Sequence, residues 1–167
     1  MSIFKSTKTL AVCGMLIALD VALRRLMELG DIDSSYSLAF LAVAAAAYWY
    51  GPIAAAVVHG LADLLGAMLF PKGPPHLGLM ASAALIGVIY GLFLHKKTAF
   101  WRILCAVLTC SLVCSLLLNS FWLSTLMGKG FLVVMLSRLP QVGIMTVIQI
   151  AVLSLTLPQF KRIRFPQ

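Results

Sequence analysis

The chain has 167 residues, of which 62% are hydrophobic and 11% charged, with a mean hydropathy of +1.02. No water-soluble domain of this size covers itself with so little polar surface, so lipid is the solvent and the formal net charge of +8 has to be placed relative to a membrane. A spanning helix takes about 20 mostly apolar residues, which leaves room for roughly six. Residues 1–167 read as a single transmembrane domain, an all-α bundle with spans near 8–28, 36–50, 52–70, 77–95, 99–125 and 131–157.

The first span carries Asp20, Arg24 and Arg25 and lacks a small-residue cleavage pattern, so it reads as a permanent helix rather than a signal peptide. Asp20 and Arg24, four residues apart, are spaced to neutralise each other, which turns Arg25 toward another surface and makes it the better ligand candidate. A polar stretch from Gly30 to Ser35 leads to the short second span, and Tyr50-Gly51-Pro52 breaks it from the third. Asp63 then falls inside an apolar segment, where an ionised carboxylate is expensive unless it is paired or lines a wet cavity.

His59 precedes Asp63 by one helical turn, and three readings stay open: a structural His–Asp bond, a proton relay, or a ligand contact. In the last, the carboxylate accepts two hydrogen bonds side by side, which suits an amidine-like edge. Pro71 to His76 form a loop, His95-Lys96-Lys97 end the fourth span, and Asn119, Ser120, Trp122 and Ser124 bring amide, hydroxyl and indole groups to the outer part of the fifth. Trp122 fits an interfacial anchor as well as a ligand contact. Gly128-Lys129-Gly130 separates the last span, which has Arg138 and Pro140 near its start.

Small residues recur at four-residue spacing in Ala18/Ala22, Ala42/Ala46, Ala62/Gly66 and Ala83/Gly87/Gly91, a pattern that brings helix backbones close together in lipid. Cys13, Cys105, Cys110 and Cys114 lie in apolar runs without metal-ligand spacing, so neither a disulfide framework nor a metal site is expected. No nucleotide-binding loop, catalytic carboxylate pair or Ser/His/Asp set can be assembled, so no cofactor and no enzyme activity are expected. The basic tail Lys161-Arg162-Ile163-Arg164 is explained as a topological anchor, with no nucleic-acid partner.

With six spans both termini share a side, together with Lys5, Lys8, Lys96, Lys97 and Arg102, and that side is expected to be cytoplasmic. Arg24, Arg25, Lys72, Lys129 and Arg138 then gather at the opposite face, against the positive-inside rule. Snorkelling or loop solvation accounts for some of them. The alternative is a cationic face that raises the local concentration of an anionic ligand.

Two stretches are similar to a known family, the substrate-binding S components of energy-coupling factor (ECF) transporters, and most closely to its folate group. One is Gly51-Pro52, Ala62-Asp63-Leu64-Leu65-Gly66, Leu69-Phe70-Pro71-Lys72-Gly73-Pro74, Ser82-Ala83-Ala84 and Gly87-Val88-Ile89-Tyr90-Gly91-Leu92-Phe93-Leu94. The other is Leu118-Asn119-Ser120-Phe121-Trp122-Leu123-Ser124 with Gly128-Lys129 and Arg138. The opening helix, Leu16 to Arg25, resembles the family's first helix, whose Ala-x-x-x-Ala surface is matched by Ala18 and Ala22. The sequence departs from the folate group at His76-Leu77-Gly78-Leu79-Met80, where a Pro-Gly-Phe-Thr pattern is usual.

The resemblance implies a six-helix S component in the plasma membrane of a bacterium, binding folate, a reduced folate or a related vitamin at the outer face. It implies docking through Ala18 and Ala22 on a transmembrane coupling subunit, with two partner ATPases supplying the energy. Asp63 is expected to read the pterin edge with Asn119, Phe70 or Trp122 to stack on the ring, and Arg25, Lys72 and Arg138 to take the carboxylates, with segment 71–76 as the gate. A proton-coupled carrier using His59 and Asp63, and a non-transporting scaffold that binds lipid headgroups, are the rival readings.

Overall fold

The structure is a computed structural model that describes residues 7–26, 38–69, 77–96 and 99–160. Regular structure among these residues is helical throughout: α1 (Thr7–Leu26), α2 (Phe40–Leu69), α3 (Leu77–Leu94), α4 (Phe100–Met127) and α5 (Phe131–Phe160). Four of them, α2 to α5, are long and apolar enough to cross a membrane. The shorter α1 carries Lys8, Asp20, Arg24 and Arg25 within its 20 residues.

Within α2 the backbone leaves the helical region at Gly51, whose φ of 84° and ψ of −169° few residues other than glycine adopt. Pro52 follows and has no N–H to give the carbonyl of Tyr48 four residues back. The amide of Lys96, just past α3, donates to that carbonyl instead at 3.3 Å. His95 lies over Gly51, its Nδ1 3.3 Å from where a β-carbon would stand. The break therefore divides α2 into the runs 40–50 and 52–69 and seats the end of α3 in the notch.

Several boundaries differ from the sequence-based expectation. The second span begins at Phe40 rather than residue 36, with Leu38 and Ala39 outside the helix. The last reaches Phe160 rather than 157, because Pro140 and Pro158 are absorbed without ending it. A π-helical stretch, Cys110–Leu118, lies inside α4, where the apolar sequence carries no breaker to announce it.

The centre of the bundle is α2, buried on every side from Ala42 to Ala47. Side chains this small let neighbouring backbones approach, which matters in lipid because no hydrophobic effect drives helix association there. At α3 the approach is closest: a β-carbon on Gly87 would overlap the carbonyl of Ala55, and one on Gly91 the backbone of Pro52. Ala42, Ala46, Ala62 and Gly66 are likewise buried, whereas Ala18 is exposed and Ala22 half-buried on α1, which packs chiefly against α2.

Chain direction brings the end of α1, the end of α2, the start of α3, the end of α4 and the start of α5 to one end of the bundle. There Trp122 of α4 rests on Gly78 of α3. At the opposite end Trp49 meets Phe160 with ring centroids 5.2 Å apart, and Arg102 donates to the Phe93 carbonyl at 3.5 Å.

Gly87→Ala and Gly91→Ala are expected to lower the thermal midpoint of the detergent-purified protein, since overpacking costs about 1–3 kcal/mol. Gly143→Ala, at a helical position with nothing within 4 Å, is expected to raise stability by about 0.5–1 kcal/mol through helix propensity alone. Thermal unfolding of the three variants checks the opposite signs.

Candidate functional site

Two carboxylates, one guanidinium and one imidazole meet where α1 leans on α2. Arg24 donates from Nη1 to Asp63 Oδ1 at 2.5 Å, and its Nη2 stands 3.8 Å from Asp20 Oδ1. His59 Nδ1 is 2.7 Å from Asp20 Oδ2, and Arg24 Nη2 lies 3.4 Å from both of its ring nitrogens, which sets the guanidinium against the ring. Asp20 is fully buried. Asp20 and His59 are buried and Arg24 and Asp63 only partly exposed, so the four groups lean on one another; breaking a buried pair such as Asp20–His59 by removing one partner costs about 3–5 kcal/mol.

The expected Asp20–Arg24 pair along α1 is present as an ion pair, and closer contacts cross from α1 to α2. Asp20 takes His59 at 2.7 Å, and Arg24 bonds Asp63 more closely than it approaches Asp20. The i,i+4 spacing of Asp20/Arg24 and His59/Asp63 correctly places each pair on one helix face, but a facing helix supplies better-oriented partners than a neighbour one turn away.

A cavity of about 210 Å³ opens beside this network. Arg24 and His59 line it with Asn119 of α4 and Arg138 and Gln141 of α5. Further along are Ser111 and Ser115 of α4, Tyr90 of α3 and Gln149 of α5. From Arg138 to Gln149 the lining of α5 descends eleven residues, about 16 Å at helical rise. Its charge is graded: arginines stand at the end where α4 turns into α5, and hydroxyls and amides lie deeper.

The π stretch builds the α4 wall. Cys110 and Asn119 both line the cavity. At 3.6 residues per turn, nine residues would bring them to opposite faces. The wider i→i+5 turns of Cys110–Leu118 instead place them about two turns apart on one face. Ser111 is anchored there by Thr146 of α5 at 2.7 Å. Asn119 Oδ1 is buried without a hydrogen-bond partner.

Of the residues expected to bind ligand, Asn119 and Arg138 line the cavity. Asp63 stands behind Arg24, which is itself in the lining, so the α1 cation described at the cavity is Arg24. Trp122 lies against Gly78 and meets Phe121 edge-on at 5.1 Å, outside the lining. Phe70 and Lys72, the segment 71–76 and the side chain of Arg25 fall outside the described residues.

Sequence reasoning missed Gln141, Gln149 and Tyr90. A signal for the glutamines was present: Arg138, Gln141, Met145 and Gln149 recur at helical spacing in an otherwise apolar span, one face of α5. Tyr90 sits in an apolar run with nothing to distinguish it from a core aromatic. Among the described residues, no cluster of three His, Cys, Asp or Glu side chains could hold a metal ion.

Residues 8–157 match the family model described as ECF transporter, substrate-specific component. The folate transporter FolT of Clostridium novyi (strain NT) is 32% identical over 142 residues, covering 84% of this chain and 83% of that protein. FolT of Leuconostoc mesenteroides subsp. mesenteroides is 34% identical over 119 residues, covering 70% and 64% respectively. Among solved structures, a crystal structure of FolT bound with folic acid matches with a TM-score of 0.87 at 28% identity, covering 96% of each chain. A polar cavity inside an apolar helical bundle, in a chain matched by the family model over almost its whole length, leads to one conclusion: this protein belongs to the substrate-specific components of ECF transporters.

Proposed function

We propose that this protein is the folate-binding S component of an ECF-type importer, capturing folate or a reduced folate at the outer face of a bacterial plasma membrane. The observation that carries the reading is the graded cavity, cationic at one end and neutral-polar at the other, in a fold shared with FolT bound to folic acid. Folate has the matching polarity, with carboxylates on its glutamate tail and a flat pteridine bearing hydrogen-bond donors and acceptors.

In this reading Arg138 and Arg24 take the carboxylates, since guanidinium groups bind them through paired N–H donors. Asn119, with a buried carbonyl oxygen that lacks a partner, accepts from the ligand. Asp63 serves the site through Arg24, which it holds against the cavity wall, rather than by reading the pteridine edge directly. Arg25, Phe70, Lys72 and Trp122 complete the site near the outer end, as the family resemblance implies.

The remaining assignments rest on the same resemblance. Residues 1–167 form one transmembrane domain of six spans, counting 40–50 and 52–69 separately across the Gly51 break, with both termini in the cytoplasm. The bundle itself catalyses nothing; two ATPases and a transmembrane coupling subunit move it. The exposed Gly14 and Ala18 with half-buried Ala22 present a narrow small-residue face on α1, free of other described helices, for the coupling subunit.

Arg138→Gln is expected to weaken folic acid binding about tenfold or more, the loss of a charge-assisted hydrogen bond. Binding of the same pteridine lacking its glutamate tail is expected to stay within about threefold; calorimetric titration of the purified protein checks both, and equal loss for the two ligands would sink the carboxylate assignment. Replacing Ala18 and Ala22 together by Leu is expected to abolish folate uptake into cells while folic acid binding by the purified variant is retained. Unimpaired uptake would count against α1 as the docking face.

A further inference from the structure

Tyr90 and Gln149 stand together at the uncharged end of the cavity. Tyr90 is 1% exposed, and its hydroxyl donates to Gln149 Oε1 at 3.3 Å. Both side chains line the cavity. A phenol buried this deeply in an apolar bundle must give its proton to an acceptor or lose a hydrogen bond that water would otherwise supply. The amide oxygen of Gln149 is the acceptor it meets.

That contact decides what Gln149 can offer a ligand. A carboxamide has two chemically opposite ends, an accepting oxygen and a donating nitrogen with two N–H groups. With Oε1 facing the phenol, the N–H end is what remains for a molecule in the cavity. Some of the other polar groups nearby are already engaged: Ser111 and Thr146 are bonded to each other at 2.7 Å, and Cys110 Sγ points to the Ile86 carbonyl at 4.0 Å. The surrounding lining is apolar, with Ile86, Val142 and Met145.

We infer that Gln149 is a specificity-determining residue that donates a hydrogen bond to the carbonyl oxygen of the bound heterocycle, and that Tyr90 is the positioning residue that keeps the amide in this sense. The inference rests on the folate reading above and extends it to the deep end of the site. Folic acid has a carbonyl on its pteridine ring and satisfies such a donor. The analogue in which that oxygen is replaced by an amino group meets it with a donor of its own. A buried site that leaves polar groups unmatched in this way rejects the analogue more strongly than apolar contact alone can.

The test compares the two pteridines on the purified full-length protein by calorimetric titration, for the wild type, Tyr90→Phe and Gln149→Leu. The wild type is expected to prefer folic acid over the amino analogue by about tenfold, roughly the contribution of one neutral hydrogen bond. Tyr90→Phe keeps the ring and frees the amide to turn over, so the preference is expected to fall within about threefold while the thermal midpoint stays close to the wild type's. Gln149→Leu is expected to abolish the preference and weaken folic acid by about tenfold.

A wild type that binds both pteridines equally, or variants that lose affinity for both in proportion, would overturn the inference and leave the folate reading intact. Loss of all binding in both variants also counts against it, because one neutral hydrogen bond does not account for so large an effect. If Tyr90→Phe does not fold, the affinity ratio in Gln149→Leu decides alone. A wild type that binds neither pteridine overturns the folate reading and this inference together.

Discussion

Arg24 sits between two carboxylates at the partly buried wall of the cavity, and the rest of the site depends on that arrangement. Asp20 reaches it along α1 and Asp63 from α2, with His59 closing the group against Asp20. The network joins a helix that carries charge to the apolar centre of the bundle, and it does so at the cavity wall. Charged groups at this depth of a membrane protein are costly, and they mark the places where polar ligands or ions are handled. Here the same contacts that make the charges tolerable also hold a guanidinium at the cavity wall.

Packing serves the same end by a different route. The alanines of α2 and the glycines of α3 bring three backbone segments into close contact, so the interior of the bundle contains little side-chain bulk. Space is then found where α3, α4 and α5 face α1 and α2, and there the π stretch of α4 turns its hydroxyls and Asn119 inward. A regular α-helix of the same sequence would send part of that polar set toward lipid. The cavity is therefore a product of backbone geometry as much as of residue choice.

The bundle was readable from apolar segments and breakers, because the lipid core imposes both the length and the composition of a span. Gly51-Pro52 marked the break in α2 for a local reason: a positive φ and a missing N–H. The family was readable from motif residues such as Ala62-Asp63-Leu64-Leu65-Gly66, and the family model and the relatives agree with it. Individual partners were readable only in part. The i,i+4 rule gave the Asp20–Arg24 ion pair, but the closer contacts of Arg24 with Asp63 and of His59 with Asp20 rest on how α1 lies across α2, which no local pattern encodes. The π stretch was hidden for a related reason, since Cys110 to Leu118 is ordinary apolar helix by composition and its wider turn depends on packing against α3 and α5. Gln149 and Tyr90 acquire significance only when two helices distant in sequence place them 3.3 Å apart.

Cavity, charge and family converge on an anionic, pteridine-bearing vitamin as the cargo. The central claim is that the bundle selects this ligand from everything a cell offers. It is tested most directly by purifying the protein in mild detergent from cells grown on complex medium, and identifying by mass spectrometry the small molecule it retains. Folate or a reduced folate is expected in near-stoichiometric amount. Recovery of a flavin, thiamine or another non-pteridine vitamin in its place would contradict it.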